Sequence, residues 1–197
     1  MHMGESALAD TGRNFGLSGA ALKWIAMITM LIDHIGAVVM EYGLYYQGGA
    51  ETFRRLLASG NGQWLYTFQR LMRMVGRPSF LLYSFLLVEG FFHTRSRKRY
   101  TFQMLLFAMI SEIPFDLAAS NRWFYLGYQN VFFEFLIGLT VLWGMEQAVI
   151  FGKTPLTVEA GKIFAVALGC MAAVFIQADY DYIGIIIIAA FYEFHAS

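Results

Sequence analysis

Two polar residues on the first apolar stretch of the chain, Lys23 and His34, have types and a spacing suited to chemistry inside a membrane. They stand eleven positions apart, and at about 100° per residue this spacing returns both to one face of a helix, about 16 Å apart along its axis. Imidazole titrates near neutrality, so His34 could act as a general base toward an amine or a hydroxyl. A histidine that simply bonds a neighbouring helix is the alternative interpretation.

The stretch that carries these residues, 22–42, is long enough to cross a bilayer, since about 20 apolar residues span the hydrocarbon core. A charge at that depth costs about 2.5–3.5 kcal/mol on insertion scales, so ionisable residues there usually face a protein interior or a wet cavity. Asp33 points about 100° away from His34 and could assist it only through a tertiary contact. Lys23 could bind a phosphate group or a carboxylate partner, or it could snorkel to the membrane edge.

The composition is that of a polytopic membrane protein. Hydrophobic residues make up 58% of the chain and charged residues 14%, whereas soluble domains carry about a quarter charged residues. The mean hydropathy is +0.52. A net charge of zero argues against a general nucleic-acid binder. The single cysteine, Cys170, cannot form an intrachain disulfide and is interpreted as a buried, inert thiol.

Hydropathy and helix-breaking residues predict an all-α, polytopic membrane bundle of about five to six transmembrane helices plus an interfacial helix. Residues 1–17 are predicted to be a mobile N-terminal segment with no cleavable signal peptide, and 18–197 a single transmembrane domain. The amphipathic segment 64–76 is interpreted as the interfacial helix, with snorkelling arginines, after a short helix near 53–57. The predicted spans are 18–45, 78–93, 100–117, 129–151, 158–177 and a short sixth at 183–194.

A basic loop after the second predicted span sets the expected orientation. By the positive-inside rule this loop is cytoplasmic, so the N-terminus is also inside and His34 lies deeper than Lys23. The loop could also attract the phosphate groups of a ligand. Its basic residues are Arg95, Arg97, Lys98 and Arg99.

Further polar residues lie on or beside the second span. Glu89 and His93 are four positions apart and share a helix face. Such a pair would suit a metal only if other segments supplied more ligands, and no metal is expected. Arg77 could bind an acidic group, pair with a carboxylate such as Asp33, or anchor at the interface.

A second acidic cluster, Glu112 and Asp116, flanks Pro114 near the end of the third span. A proline frees a backbone carbonyl, which membranes tolerate only beside protein or a cavity, so this segment is predicted to form a pocket wall. Together with Asn130, these two acids are candidate substrate-binding residues. The alternatives are a kinked helix end and routine helix–helix bonding by Asn130. The acidic turn at 179–182 could meet a substrate, but a solvated loop explains it equally well.

Five blocks of the sequence resemble the TraX family of conjugative systems. TraX proteins are integral membrane acetyltransferases that modify the N-terminus of pilin, and they look like distant relatives of acyltransferase-3 enzymes. In those enzymes the first helix carries a basic residue, ten others and a histidine thought to be catalytic, a pattern that Lys23 and His34 reproduce. The blocks are K-W-I-A-M-I-T-M-L-I-D-H-I-G at 23–36, G-R-P-S-F-L-L-Y-S-F-L-L-V-E-G-F-F-H-T-R at 76–95, I-S-E-I-P-F-D at 110–116, N-V-F-F at 130–133 and A-D-Y-D-Y-I-G at 178–184.

This resemblance implies a multi-pass acetyltransferase of the bacterial inner membrane that uses acetyl-CoA, whose phosphates the basic loop at 95–99 could attract. The acceptor would be a pilin-like peptide amino-terminus or a sugar hydroxyl of a glycan. His34 would be the base, Asp33 or Glu89 would orient it, and Lys23 and Arg77 would handle the charges of the donor. No serine or cysteine nucleophile motif stands out, so direct transfer is expected.

The resemblance also implies further C-terminal helices, so three arrangements are open: a truncated form, a short variant, or a homo-oligomer whose partner completes the bundle. Two other functions are open as well. Buried acidic and histidine side chains could form the proton path of a proton-coupled transporter. A non-catalytic pilus assembly protein would bind pilin subunits, and replacement of His34 would then leave its function intact.

Overall fold

The computed structural model describes residues 18–46 and 49–196, and every regular element in these ranges is a helix. The prediction of a mobile segment at 1–17 lies outside the described residues. The first helix passes directly into a π-helix, Ile35–Tyr46, termed the π segment. The α-helices are α1 (Gly19–His34), α2 (Gly49–Ala58), α3 (Gly60–Gly76), α4 (Pro78–His93), α5 (Arg97–Ser120), α6 (Val131–Phe151), α7 (Pro155–Ile176) and α8 (Asp181–Ala196).

Five helical stretches are long and apolar enough to cross a membrane, which confirms the predicted all-α polytopic bundle. Their outward faces carry large apolar side chains, such as Phe107, Phe164 and Phe175, that are more than half exposed and suited to lipid contact. The short sixth helix, α8, has 16 residues. The five stretches are Gly19–Met40, Gly60–His93, Arg97–Ser120, Val131–Phe151 and Pro155–Ile176.

The segment predicted to be an interfacial helix, 64–76, belongs to α3, and α3 leads into α4 with little interruption. Arg77 at the junction keeps helical dihedral angles, φ −55° and ψ −37°. Its N–H donates to the carbonyl of Arg73 at 3.1 Å. Pro78 takes the first position of α4, where a missing N–H costs nothing because it would have no partner there. The result is a continuous apolar stretch over 60–93.

Side-chain caps explain where most of the helices begin. The hydroxyl of Ser18 accepts from the N–H of Ala21 at 3.2 Å, which confirms the predicted start of the first helix. Such a cap satisfies one of the backbone donors that a helix leaves without a partner. The C-terminal end of α7 is capped by Gln177, whose left-handed φ of 55° turns the chain back toward α8. The capping residues are Ser18, Ser59, Ser96, Asn130 and Thr154.

The packed core lies between α4, α6, α7 and α8, and α1 covers the outside of α4. Glycines allow the closest helix approaches. A Cβ placed on Gly138 of α6 would lie 2.6 Å from Cδ1 of Ile188 in α8, and one on Gly169 of α7 would lie 2.2 Å from Cγ2 of Val141 in α6. Small residues at such crossings let helix backbones approach closely, a common feature of membrane bundles.

The bundle has two ends that carry different polar residues. The basic end contains the turn between α4 and α5 at 94–96 and the first residues of α5. The opposite end contains the α5–α6 loop at 121–130 and the α7–α8 turn at 177–180. Because α1 runs antiparallel to α3 and α4, Lys23 lies near the basic end while His34 lies toward the opposite end.

Candidate functional site

His34 lines a cavity of about 320 Å³ toward the opposite end of the bundle, termed the His34 pocket. Its walls come from α1, α4, α5, α6 and the α7–α8 turn, and most of the lining is apolar or aromatic. Concave apolar sites with a few convergent polar groups are the usual form of small-molecule and peptide-end sites. The charged and hydrogen-bonding residues that line it include Asp33, His34, Asn130, Asp179 and Tyr180.

The imidazole of His34 is oriented by its own helix. Its Nδ1 lies 2.8 Å from the carbonyl oxygen of Met30. A carbonyl oxygen only accepts, so Nδ1 donates in this contact and carries a proton. In the neutral ring Nε2 is then the nitrogen with a free lone pair. This is the tautomer that a general base in the pocket requires.

Asp33 binds Arg73 of α3, so the structure does not bring it to His34 as the sequence analysis expected. Nη1 of Arg73 donates to Oδ2 of Asp33 at 2.5 Å, and the two side chains are 31% and 19% exposed. Neighbouring residues diverge around a helix, which is why Asp33 faces α3 while His34 faces the pocket. The interpretation of Arg73 as a snorkelling side chain is wrong. Arg70, one turn earlier, is exposed and fits that interpretation.

Two residues of the acidic turn, Asp179 and Tyr180, line the His34 pocket. The sequence left substrate contact and a solvated loop equally open for this turn. The N–H of Gln129 donates to the carbonyl of Gln177 at 3.0 Å, which joins the α5–α6 loop to the α7–α8 turn. Beside this bond the hydroxyl of Tyr128 donates to Oδ1 of Asp179. The turn is therefore held against the bundle. The only available signal in the sequence was the block at 178–184, and no local rule places it near His34.

The charges around the α7–α8 turn change the titration of its side chains. Burial raises the pKa of the Asp179 carboxyl, while the hydrogen bond from Tyr128 and the nearby Arg73 and His34 side chains lower it in part. Burial together with the negative charge of Asp179 raises the pKa of Tyr180 to about 12. The Tyr180 hydroxyl is therefore protonated at neutral pH.

Of the three predicted substrate-binding residues, Asn130 lines the pocket and the two acids hold the structure around it. Nδ2 of Asn130 donates to Oε2 of Glu112 at 2.5 Å and to the carbonyl of Ala108 at 3.0 Å, which ties α6 to α5. Asp116 accepts the N–H of Tyr125 at 2.7 Å and so orders the α5–α6 loop. Both acids are buried. Direct contact of any of the three with substrate stays a prediction.

A second cavity, of about 510 Å³, lies between α1 and α4 near the basic end and is termed the Glu89 pocket. Lys23, Glu89 and His93 line it. The Glu89 carboxylate lies between two histidines, with Oε2 3.4 Å from Nδ1 of His93 and Oε1 3.2 Å from Nδ1 of His195. Among the described residues no group of three or more metal-ligating side chains could hold an ion.

Glu89 does not meet His34. Lys23, which shares its pocket, lies about 16 Å from His34 along α1, a distance that no glutamate side chain spans. The expected orientation of His34 by Glu89 is therefore wrong. His195, the partner that sequence reasoning missed, comes from α8, more than a hundred residues away in the chain. The helical i,i+4 rule could find His93 and could not find His195.

The remaining predicted cations divide between the two ends. Arg97 is held inside the bundle: its Nη2 lies 2.5 Å from Oε1 of Glu146, and its guanidinium lies 4.6 Å above the ring of Phe91. Arg77 lies at the opposite end, within electrostatic range of Asp33. The exposed cations left at the basic end are Lys23, Arg95, Lys98 and Arg99.

Comparison with known proteins identifies the family. The model of the TraX protein family matches residues 18–197. This chain belongs to the TraX family. The probable fimbrial assembly protein FimC, serogroup H1, of Dichelobacter nodosus is 32% identical to it over 137 residues, which is 66% of this chain and 47% of that protein. The chain therefore spans about half the length of this curated relative. No solved structure matches the chain.

The structure of this TraX-family chain brings its five family-like blocks together at one place. Each block supplies at least one residue to the lining of the His34 pocket. Their contributions are separated by up to about 150 positions in the sequence, so only the fold makes them neighbours. Representative residues, one from each block in order, are His34, Phe80, Phe115, Asn130 and Tyr180.

Proposed function

We propose that this chain is a membrane acetyltransferase that moves an acetyl group from acetyl-CoA to the amino-terminus of a pilin-like peptide, with His34 as the general base. A sugar hydroxyl is the alternative acceptor. The observation that carries the proposal is the His34 pocket, where a histidine with its Nε2 available is surrounded by all five family-like blocks. The spacing of Lys23 and His34 resembles the pattern of the first helix of acyltransferase-3 enzymes, and this resemblance supports the same reaction class.

In the proposed reaction the acceptor nitrogen attacks the carbonyl carbon of the thioester. The C–N bond forms, the C–S bond breaks, and Nε2 of His34 takes a proton from the nitrogen. The same proton then passes to the departing thiolate, which leaves as the free thiol of coenzyme A. His34 returns to its neutral form, and no acyl-enzyme is needed.

The donor would enter from the basic end, where exposed cations can attract its phosphates. From there the thioester must reach about 16 Å along α1 to approach His34, and the long pantetheine arm of coenzyme A supplies that reach. Lys23 lies at the start of this path. Arg77 lies beside the His34 pocket, so it would contact a charged group near the reacting ends of the substrates. By the positive-inside rule the basic end faces the cytoplasm of a bacterial inner membrane.

A non-catalytic role in pilus assembly is the second candidate, and the printed name of the curated relative, a fimbrial assembly protein, favours it. In that function the His34 pocket would bind part of a pilin subunit without chemistry. The two functions differ in one respect that can be measured: only the enzyme needs the free nitrogen of His34.

The test is acetyl transfer from labelled acetyl-CoA by purified protein in detergent, over a panel of peptides with free amino-termini and of sugars. We expect His34→Ala to lower transfer by about 10²–10⁴-fold, the usual contribution of a general base. The matched control is Thr29→Ala on the same helix, which also removes a side-chain bond to a backbone carbonyl four residues back. Thr29 does not line the pocket.

Full activity of a folded His34→Ala variant would refute the role of His34. Equal losses in His34→Ala and Thr29→Ala would mean that damage to α1, and not lost base catalysis, explains the effect. Absence of transfer to every acceptor, combined with binding of a pilin-like peptide, would favour the assembly function.

A further inference from the structure

An amine acceptor brings one proton more than His34 can remove. A peptide α-amino group has a pKa of about 7.7–8.0, so at pH 7 most of it is ammonium. The ammonium must lose one proton before its nitrogen can attack the thioester, and a second proton as the amide forms. The single free nitrogen of His34 accepts one of these. A second acceptor is needed in the same cavity.

We propose that Asp179 is this second acceptor: a catalytic residue of the His34 pocket that holds the ammonium group and takes its first proton. This inference rests on the proposed acetyltransferase function. It adds a residue from the α7–α8 turn that the sequence analysis did not place in the site.

The geometry leaves one side of the Asp179 carboxylate available. Asp179 lines the same cavity as His34. Its Oδ1 accepts the hydroxyl of Tyr128, and the described residues make no other hydrogen bond to this side chain. The bond from Tyr128 and the backbone bond between Gln129 and Gln177 fix the turn that carries it. Oδ2 is therefore free to accept from a bound ammonium.

The other candidates in the pocket are engaged or unsuited. Asp33 is bound to Arg73 at 2.5 Å, and protonating it would leave that guanidinium without its counter-charge. The hydroxyl of Tyr180 keeps its own proton, since its pKa lies at about 12. Glu134 on α6 is fully buried and does not line the cavity. Asp179 is the carboxylate that remains.

The charges that act on the pKa of Asp179 come from three helices, α1, α3 and α8. His34 on α1 and Arg73 on α3 act to lower its pKa, and the neighbouring Asp181 acts to raise it; the net effect, dominated by burial, is a raised pKa. A carboxylate with a raised pKa is a better proton acceptor. The negative charge of Asp179 also acts electrostatically on the carboxyl groups of Glu134 on α6 and Asp33 on α1.

The steps balance as follows. The ammonium gives one proton to Asp179 and becomes an amine; the amine attacks, and its second proton goes to Nε2 of His34 and then to the thiolate of coenzyme A. Asp179 finally releases its proton to water. Each turnover at neutral pH therefore yields one amide, one thiol and one free proton.

The experiment compares Asp179→Asn with the matched control Asp181→Asn, two positions away and exposed. The acceptor is a short peptide with a free amino-terminus, with its N-formyl form as the blank, and transfer is measured from pH 6 to pH 9. We expect Asp179→Asn to lose about 10-fold to 20-fold at pH 6.5, where only about 5% of such an amino group is uncharged, and to recover most of that loss at pH 9, where the amine arrives uncharged. Asp181→Asn should keep the wild-type pH profile with at most a small change in rate, because Asp181 is the weakest of the influences on the pKa of Asp179.

His34→Ala should stay inactive across this pH range, which separates the two roles. A loss in Asp179→Asn that is the same at every pH, or a matching loss in Asp181→Asn, would overturn the inference and leave the proposed function standing. No transfer by wild type would overturn both. If Asp179→Asn does not fold, Asp179→Glu replaces it: the retained carboxylate should keep the wild-type pH profile at a lower rate, and a pH profile that rises like that of the free amine would contradict the proposal.

Discussion

The two pockets along the α1–α4 seam contain the same kinds of groups in different arrangements. Each has a histidine whose Nδ1 lies within 2.9 Å of the carbonyl four residues earlier, and each is lined by at least one carboxylate. In the Glu89 pocket the carboxylate lies between two histidines. In the His34 pocket Asp33, the residue before the histidine, is bound to Arg73 instead, and no described residue forms an ion pair with His34.

This difference shows that residue type and helical spacing do not by themselves mark a reactive histidine. Glu89 and His93 form the clearer motif in the sequence, yet their charges are used to join α4 to α8 through His195. His34 has the less obvious motif, but Arg73 holds the adjacent carboxylate away from it. A base is useful only when its lone pair is not already engaged.

The largest expected effect comes from adding a methyl group at Gly76, where α3 meets α1 beside His34. A Cβ on Gly76 would lie 2.2 Å from Cβ and 2.7 Å from the backbone Cα of Asp33, so α1 and α3 would have to separate. A Cβ on Gly90, in the Glu89 pocket, would meet the hydroxyl of Tyr100 at 2.8 Å, and that ring can swing aside. We expect Gly76→Ala to cost about 1–3 kcal/mol and Gly90→Ala distinctly less.

Thermal unfolding in detergent measures the stability of both glycine variants. Gly60→Ala is the control, because nothing lies within 4 Å of a Cβ at that position. Equal melting temperatures for Gly76→Ala and Gly90→Ala would show that the helices pack no more closely beside His34 than beside Glu89.

The next largest effect concerns the ion pairs of the two carboxylates, Asp33 and Glu89. Arg73→Ala leaves Asp33 without its ion-pair partner, whereas His195→Ala leaves Glu89 still in contact with His93. We expect Arg73→Ala to destabilise the protein by about 1–2 kcal/mol, less than for a fully buried pair because both side chains are partly exposed. His195→Ala should cost less than that. Arg70→Ala, on the exposed side of α3, is the control, and a cost as large as that of Arg73→Ala would argue against a specific ion pair.

The smallest effect concerns pH. The pKa of Asp179 is raised in the folded protein, so keeping it charged costs stability once the pH exceeds that raised pKa. Asp179→Asn should therefore melt slightly above wild type at pH 7, and the difference should vanish as the pH falls to about 4, the ordinary range of a carboxyl. Melting curves at both pH values check this. A difference that grows toward low pH would reverse the assigned direction.

Rules that use only neighbouring residues predicted most of the helices, because a membrane helix depends on the apolar composition of its own segment and on the residues at its two ends. The apolar runs predicted the spans, and two of them begin where they were predicted, at Ser18 and at Pro78. The π segment was not predicted, since no residue pattern distinguishes it from an α-helix. The near-continuity of α3 and α4 was also not predicted, because a proline can either break a helix or occupy its first position.

The candidate site was predicted only where its members share one helix. Periodicity placed Lys23 and His34 on one face of the first helix. The contacts of Arg73, Asp179 and His195 depend on how distant segments pack, and one sequence gives no sign of which charges will meet. The acids Glu112 and Asp116 were found as a cluster, but their bonds to Asn130 and Tyr125 appear only in the fold.

The joined loops at the opposite end of the bundle have a consequence for how an acceptor arrives. The bonds from Tyr128 to Asp179 and from Gln129 to Gln177 close that end, while the cavity lies between α1 and α5, which pack mainly on other helices. On the α5 side its lining includes the small residues Ala118 and Ala119. We therefore expect lateral entry from the lipid. A peptide anchored in the same bilayer would search for the pocket in two dimensions, and the anchor would raise its local concentration far above that of a soluble peptide.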